Sequence, residues 1–194
     1  MQRTGGLVWN TITEFSRCSK KPKELKIEAV DLKQAVETGL NFLENELRQY
    51  GIEVEKNFEA SLPLIQADRH TLEDVFLNLL VNARHAIEQK GKILVKGYVR
   101  ENELWIDIQD TGKGIPPENL EKIFDPFFTT KDVSRNPDKD AIKGSGLGLF
   151  IVKEFVQRFG GHIEVESEPG KGTTFHVAFP AAVWLKAEPV SYGR

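Results

Sequence analysis

KILVKGYVRENELWIDIQ, residues 92–109, reads as two strands, Lys92 to Val99 and Leu104 to Gln109, joined by the polar turn Arg100-Glu101-Asn102. Alternating apolar residues mark each run, and the turn is too short for anything but an antiparallel return. Just upstream, Arg69 to Gln89 carries Leu72, Val75, Phe76, Leu79, Ala83, Ala86 and Ile87 at helical spacing and is ended by Gly91. Just downstream, Asp110 to Gly144 is polar and turn-rich, with Pro116, Pro117, Pro126 and Pro137 and only a short helical piece near Glu118 to Ile123. A connection that long inside a compact domain is more often a functional loop or lid than an accident.

Periodicity returns in a helix from about Leu147 to Phe159, stopped by Gly160-Gly161. A hairpin comes next, His162 to Ser167 and Thr173 to Phe179, around Glu168-Pro169-Gly170-Lys171-Gly172. Towards the N-terminus, Asp31 caps a helix bearing Leu32, Ala35, Val36, Leu40, Leu43 and Leu47, closed by Gly51. Ile52 to Phe58 alternates like a strand, and Leu62 to Ala67 is a short apolar run around Pro63. Helices mix with strands joined by tight turns, which predicts an α+β two-layer sandwich with one sheet covered on one face by helices.

Leu7 to Lys20 has helical spacing but too little sequence around it to form a core, so it reads as the end of an element lying mostly elsewhere. Lys20 to Ala29 reads as a charged linker. At 194 residues, 40% hydrophobic and 28% charged, the chain can bury one sizeable core. A net charge of -3 argues against a broad nucleic-acid surface, and no apolar run approaches a membrane span. The single cysteine, Cys18, excludes a disulfide framework and fits a reducing cytosol.

Four places carry chemistry. Asn78 and Asn82 are neighbours on one helix face, and a buried amide oxygen either bonds nearby backbone or serves Mg²⁺ beside phosphate oxygens. Asp110-Thr111-Gly112-Lys113-Gly114-Ile115 ends a strand; alone it reads as a solvated turn, yet its carboxylate could accept a hydrogen bond from an exocyclic amino group. Lys143-Gly144-Ser145-Gly146-Leu147-Gly148-Leu149 opens a helix, where inward N–H groups and the helix N-terminus make an anion site. It is neither a P-loop nor a Rossmann loop. Gly170-Lys171-Gly172-Thr173-Thr174-Phe175 by itself is a hairpin turn entering a strand.

In this order the four resemble the superfamily of DNA gyrase, the heat-shock chaperone of the same fold, the mismatch-repair ATPase and the histidine kinases. NLLVNA (Asn78 to Ala83) resembles its asparagine box, DTGKGI (Asp110 to Ile115) and GSGLGL (Gly144 to Leu149) its two glycine boxes, and GKGTTF (Gly170 to Phe175) its closing segment. FDPFFTTK (Phe124 to Lys131) resembles the phenylalanine box. Together with GSGLGLFIVK (Gly144 to Lys153) it resembles sensor histidine kinases, particularly those of the nitrogen-regulation type. The resemblance covers about Asp31 to Pro180.

It implies a Bergerat-type ATP-binding fold with a mixed, mostly antiparallel sheet, and this division: 1–22 the remnant of a dimerisation hairpin helix, 23–30 a linker, 31–182 the ATP-binding domain, 183–194 a tail. It further implies that Asn82, supported by Asn78, holds Mg²⁺ and that Asp110 accepts from the adenine amino group. Gly112, Gly114 and Ile115 would admit the base, while Gly144, Ser145, Gly146, Leu147, Gly148 and Leu149 would form the phosphate-side loop. Thr173 or Thr174 would reach the adenine end; Phe124, Thr130 and Lys131 would border the nucleotide; Lys131 to Lys143 would be the lid, with Lys143 on phosphate. Asn78 stands where the hydrolysing relatives have a glutamate base.

The implied activity is transfer of the ATP γ-phosphate to a histidine of a dimerisation helix, then to a response regulator. Contact with nucleic acid or membrane is not expected. The alternative is a stand-alone, anti-sigma-like nucleotide module. His70, His85, His162 and His176 lack the phosphoacceptor context, so autophosphorylation is not expected. The sequence departs from the familiar pattern at His85 and Ala86, where many sensor kinases have Lys-Tyr; His85 then faces either the phosphates or the solvent, and no obvious residue is left to stack on adenine.

Overall fold

The computed structural model describes residues 25–130 and 146–180. Within them, seven strands and four helices succeed one another as β1 (Ile27–Val30), α1 (Leu32–Gln49), β2 (Ile52–Phe58), β3 (Ile65–Asp68), α2 (Arg69–Ala86), β4 (Gly91–Arg100), β5 (Glu103–Asp110), α3 (Pro117–Leu120), α4 (Gly148–Arg158), β6 (His162–Glu168) and β7 (Gly172–Pro180). Five strands form one sheet in the order β2-β4-β5-β7-β6. In it the β2–β4 pair is parallel, whereas β4–β5, β5–β7 and β6–β7 are antiparallel. The expected two-layer α+β sandwich is what forms.

Alternation along the strands decides which face is covered. Ile93 and Val95 of β4, Leu104, Ile106 and Ile108 of β5, and Phe175, Val177 and Phe179 of β7 are buried. They share one core with Leu72, Val75, Phe76 and Leu79 of α2 and Val152 and Val156 of α4. The opposite face is polar and aromatic. There Tyr98 stacks on Trp105 at 6.4 Å, and His176 Nδ1 lies 2.8 Å from Asp107 Oδ1.

Carboxylate caps set the helix starts. Asp31 accepts from the Lys33 N–H at 2.9 Å, as the sequence predicts. Asp68 caps α2 through the Thr71 N–H and hydroxyl, both at 2.9 Å, and its second oxygen takes the Lys26 N–H at 2.9 Å. Residues expected to be linker form β1, paired antiparallel with β3 from Ile27↔Asp68 to Val30↔Ile65. Val30 alone in β1 is buried, so the strand leaves almost no apolar signature. The helix α2 stops at Ala86 rather than near Gln89. Ile87 leaves helical geometry (φ −91, ψ 112) and stays buried in the core. The stub at Leu7 to Lys20 and the tail 183–194 lie outside the described residues. No helix among the described residues is long and apolar enough to cross a membrane.

Candidate nucleotide site

A cleft of about 470 Å³ opens between α2, the loop after β5, the start of α4 and the N-terminal end of β7. The volume lies within the range of small-molecule sites. Of the predicted residues, Asn78, Asn82, His85, Asp110, Gly114, Ile115, Thr130, Gly146, Gly148, Leu149 and Thr173 line it.

At one end sits Asp110, the last residue of β5 and only 3% exposed. Burial pushes its carboxyl up to about 6, while hydrogen bonds from the backbone N–H groups of Gly112 and Thr173 act in the opposite direction. Gly112 N–H donates to Asp110 Oδ1 at 2.7 Å. Two carboxylate oxygens have about four lone-pair sites, so two backbone donors leave acceptor capacity at the cleft wall. Among the described wall residues, Lys113 is the sole lysine or arginine.

At the other end, Asn78 Nδ2 donates to the Asp74 carbonyl at 2.8 Å, one turn back on α2. Its Oδ1 is left as an acceptor, 3.0 Å from where a Cβ on Gly148 would stand. Asn82 stands one turn later on the same wall. Neutral oxygens beside an open cleft suit Mg²⁺, which keeps several waters and takes the rest of its shell from phosphate. Facing them, α4 begins with no side-chain cap at Leu147, and Gly146, Gly148 and Leu149 open on the cleft. A helix N-terminus attracts an anion. The residues present therefore fit a nucleotide with its metal.

Residues 67–183 match the protein family described as histidine kinase-, DNA gyrase B- and HSP90-like ATPases. The chain belongs to this family. Relatives from the sensor-kinase branch extend the match. The sensor histidine kinase ZraS of Escherichia coli (strain K12) is 37% identical over 166 residues, 86% of this chain and 34% of that protein. Sporulation kinase A of Bacillus subtilis (strain 168) is 30% identical over 169 residues, 87% of this chain and 26% of the kinase. The chain thus spans about a third or less of these two curated relatives. Among solved structures, the catalytic domain of histidine kinase ThkA superposes with a TM-score of 0.69 at 27% identity, covering 81% of this chain and 97% of that one. Full-length ShkA in complex with AMPPNP gives 0.70 at 27% identity, covering 88% and 34%.

Within this histidine-kinase-like ATPase domain, several expected residues stand elsewhere. Thr174 does not line the cleft: strand alternation sends Thr173 inward, 4% exposed, and pairs Thr174 with Gln109 and Glu166 on the other face. Phe124 backs the wall instead of forming it, its ring edge-on to Phe175 at 6.5 Å and beneath Lys153 Nζ at 5.5 Å. Leu147 is buried below the cleft, and Gly112 is also outside its lining. Both glycines of the DTGKGI segment answer to the chain itself. A Cβ on Gly112 would stand 2.5 Å from the Ala86 carbonyl, and one on Gly114 would collide with the Glu168 carbonyl. Lys131, Lys143, Gly144 and Ser145 lie outside the described residues.

The wall also holds residues that the motifs did not single out. Phe128 and Phe175 sit inside motifs and could have been found by strand and loop alternation, whereas Asn119 and Ile123 carry no local signal. Lys113 is fixed by backbone on both sides: its N–H donates to the Ala86 carbonyl at 3.0 Å and its own carbonyl accepts from the Gly170 N–H at 2.8 Å. The loop, the end of α2 and the β6–β7 turn are thereby tied together around Asp110.

Proposed function

We propose that this domain binds Mg-ATP and presents the γ-phosphate to a histidine on a dimerisation helix, in two-component signalling. The observation that carries the reading is a cleft with the buried Asp110 carboxylate at one end and Asn78, Asn82 and the α4 N-terminus at the other. That spread matches a purine with an amino group and a polyphosphate.

In this mechanism Asp110 accepts a hydrogen bond from the adenine amino group, and Ile115, Ile123, Phe128 and Leu149 supply apolar wall around the base. Asn78 and Asn82 hold the metal, with Asn82 the principal ligand. When bound there, Mg²⁺ would neutralise phosphate charge. The Gly146 to Leu149 segment receives the phosphates on backbone N–H groups; the sequence resemblance gives Lys131, Lys143, Gly144 and Ser145, outside the described residues, to the same phosphates. The acceptor histidine attacks in line, and this chain contributes positioning and charge stabilisation rather than a covalent intermediate. With asparagine at position 78, the wall offers no carboxylate there to activate water, so hydrolysis is slow.

The phosphoryl group then passes to an aspartate of a response regulator. The sensor-kinase relatives favour this over a stand-alone anti-sigma-like module. We assign the domain to the nitrogen-regulation subtype on the segments Phe124 to Lys131 and Gly144 to Lys153 of the sequence. The test is to titrate ATP with Mg²⁺ by calorimetry, then add a phosphoacceptor hairpin and monitor acid-labile label from γ-labelled ATP. Saturable binding and then label on the hairpin histidine are expected. A folded protein that binds no ATP would refute the reading.

A further inference from the structure

Ser167 lies on β6, one position before its end, and belongs to none of the nucleotide-site motifs. Its hydroxyl meets three groups. The Ile115 N–H is 2.8 Å away, the Gly172 carbonyl 2.9 Å and the Thr173 hydroxyl 2.9 Å. Ile115 and Thr173 both line the cleft. The serine thus connects the loop after β5 with the first residues of β7, from behind the wall.

The proton count on this hydroxyl has only one solution that keeps all three bonds. A serine oxygen carries one proton and two lone pairs. The Ile115 N–H can only donate, and takes one lone pair. The Gly172 carbonyl can only accept, and takes the proton. One lone pair is left for Thr173, so the Thr173 hydroxyl is the donor in that contact. Its proton points at Ser167, and only lone pairs of the Thr173 oxygen remain for a ligand. Asp110, the residue directly across from Thr173 in the β5–β7 ladder, is an acceptor as a carboxylate. The polar end of the cleft therefore offers two acceptors side by side and no side-chain donor from this pair.

We propose that Ser167 is a specificity-determining positioning residue: by fixing the Thr173 proton it makes the base site accept from an exocyclic amino group and reject a carbonyl at the same place. This rests on the nucleotide reading of the cleft. Ser167 touches no ligand; it acts through Thr173. The discrimination is between ATP and a purine triphosphate such as ITP, in which a carbonyl replaces the amino group.

The experiment is calorimetric titration of ATP and ITP, each with Mg²⁺ at pH 8, into the wild type, Ser167→Ala, Thr173→Val and the double variant. Wild type binds ATP more tightly. Ser167→Ala frees the Thr173 hydroxyl to turn its proton into the cleft, so the ATP-to-ITP ratio falls about tenfold, the scale of one hydrogen bond. Thr173→Val lowers the ratio as well, and adding Ser167→Ala to it changes the ratio no further. Parallel weakening of both nucleotides by Ser167→Ala, with the ratio kept, would mean that the serine merely holds the turn and would overturn the proposal. Should Ser167→Ala fail to fold by circular dichroism, an unchanged ratio in Thr173→Val overturns it instead. A wild type that binds neither nucleotide overturns the nucleotide reading itself, an outcome distinct from ATP binding with an unaltered ratio.

Discussion

Replacing Asp110 by asparagine should move stability and binding in opposite directions. Burial displaces the carboxyl from its ordinary value of 3.8 to about 6. A little over two pH units, at about 1.4 kcal/mol per unit, means that keeping the group ionised at pH 8 costs the fold ~3 kcal/mol. The folded protein holds a proton that the unfolded chain has already released between about pH 4 and 6. Stability therefore falls as pH rises through that window, and the loss is complete above it. Asparagine is neutral throughout and keeps an oxygen for the Gly112 N–H, but it buries an amide that needs partners, at about 1–2 kcal/mol. The net expectation is a variant about 1–2 kcal/mol more stable than wild type at pH 8, with that advantage gone at pH 4. Binding loses a charge-assisted hydrogen bond and gains a donor facing the adenine amino group, so ATP affinity falls at least ~30-fold. Urea unfolding at both pH values and calorimetric titration at pH 8 measure the two effects. A variant that loses stability at pH 8 while keeping wild-type ATP affinity would refute the account of Asp110 as a buried, functionally retained carboxylate.

Other perturbations separate the remaining parts of the site. Asn82→Ala should leave the helix intact and lower the Mg²⁺-dependent gain in ATP affinity by about tenfold or more, measured with and without the metal; an unchanged gain would place the metal elsewhere. Gly112→Ala should destabilise the domain by about 1–3 kcal/mol, because its Cβ would stand 2.5 Å from the Ala86 carbonyl; thermal unfolding indistinguishable from wild type would contradict that packing. Lowering pH through about 6 should weaken ATP binding as Asp110 takes up its proton, loses its charge and turns one oxygen into a donor; affinity independent of pH from 8 to 5 would remove Asp110 from the base site. Incubation with γ-labelled ATP should label none of His70, His85, His162 and His176, and stable phosphohistidine on any of them would be contrary to the proposed need for a separate acceptor.

The layered fold was legible because its main strands and helices bury one clear face each. Ile93, Val95, Leu104, Ile106 and Ile108 write the sheet, and Leu72, Val75, Phe76 and Leu79 write the helix on it. β1 was not legible, since a strand with one buried residue has the pattern of a charged linker. At the site, residues in the motifs were legible as positions but less so as contacts. Thr173 and Thr174 are adjacent and alike in sequence, and only the register of β7 tells which one faces the cleft. Gly112 and Gly114 look like ligand clearance, yet their lack of a side chain is required by Ala86 and Glu168. Ser167 is an ordinary strand serine until three groups from the loop after β5 and from β7 converge on its oxygen, a coincidence that no local pattern encodes.

The place of β7 in the sheet also bears on when the cleft can exist during synthesis. β7 comes after every other described element, yet it is inserted between β5 and β6 and brings Thr173 beside Asp110. A ribosome adding ~5–20 residues per second needs roughly 3–13 s to pass from Asp110, where β5 is complete, to Thr173. Throughout that interval the nascent chain carries α2 and β5 with the β5 edge unpaired, an open seam for wrong partners. Nucleotide cannot rescue such an intermediate by mass action, because half of its base site has not yet been made. Folding of this domain on the ribosome should therefore depend on chaperones or on speed rather than on ATP concentration.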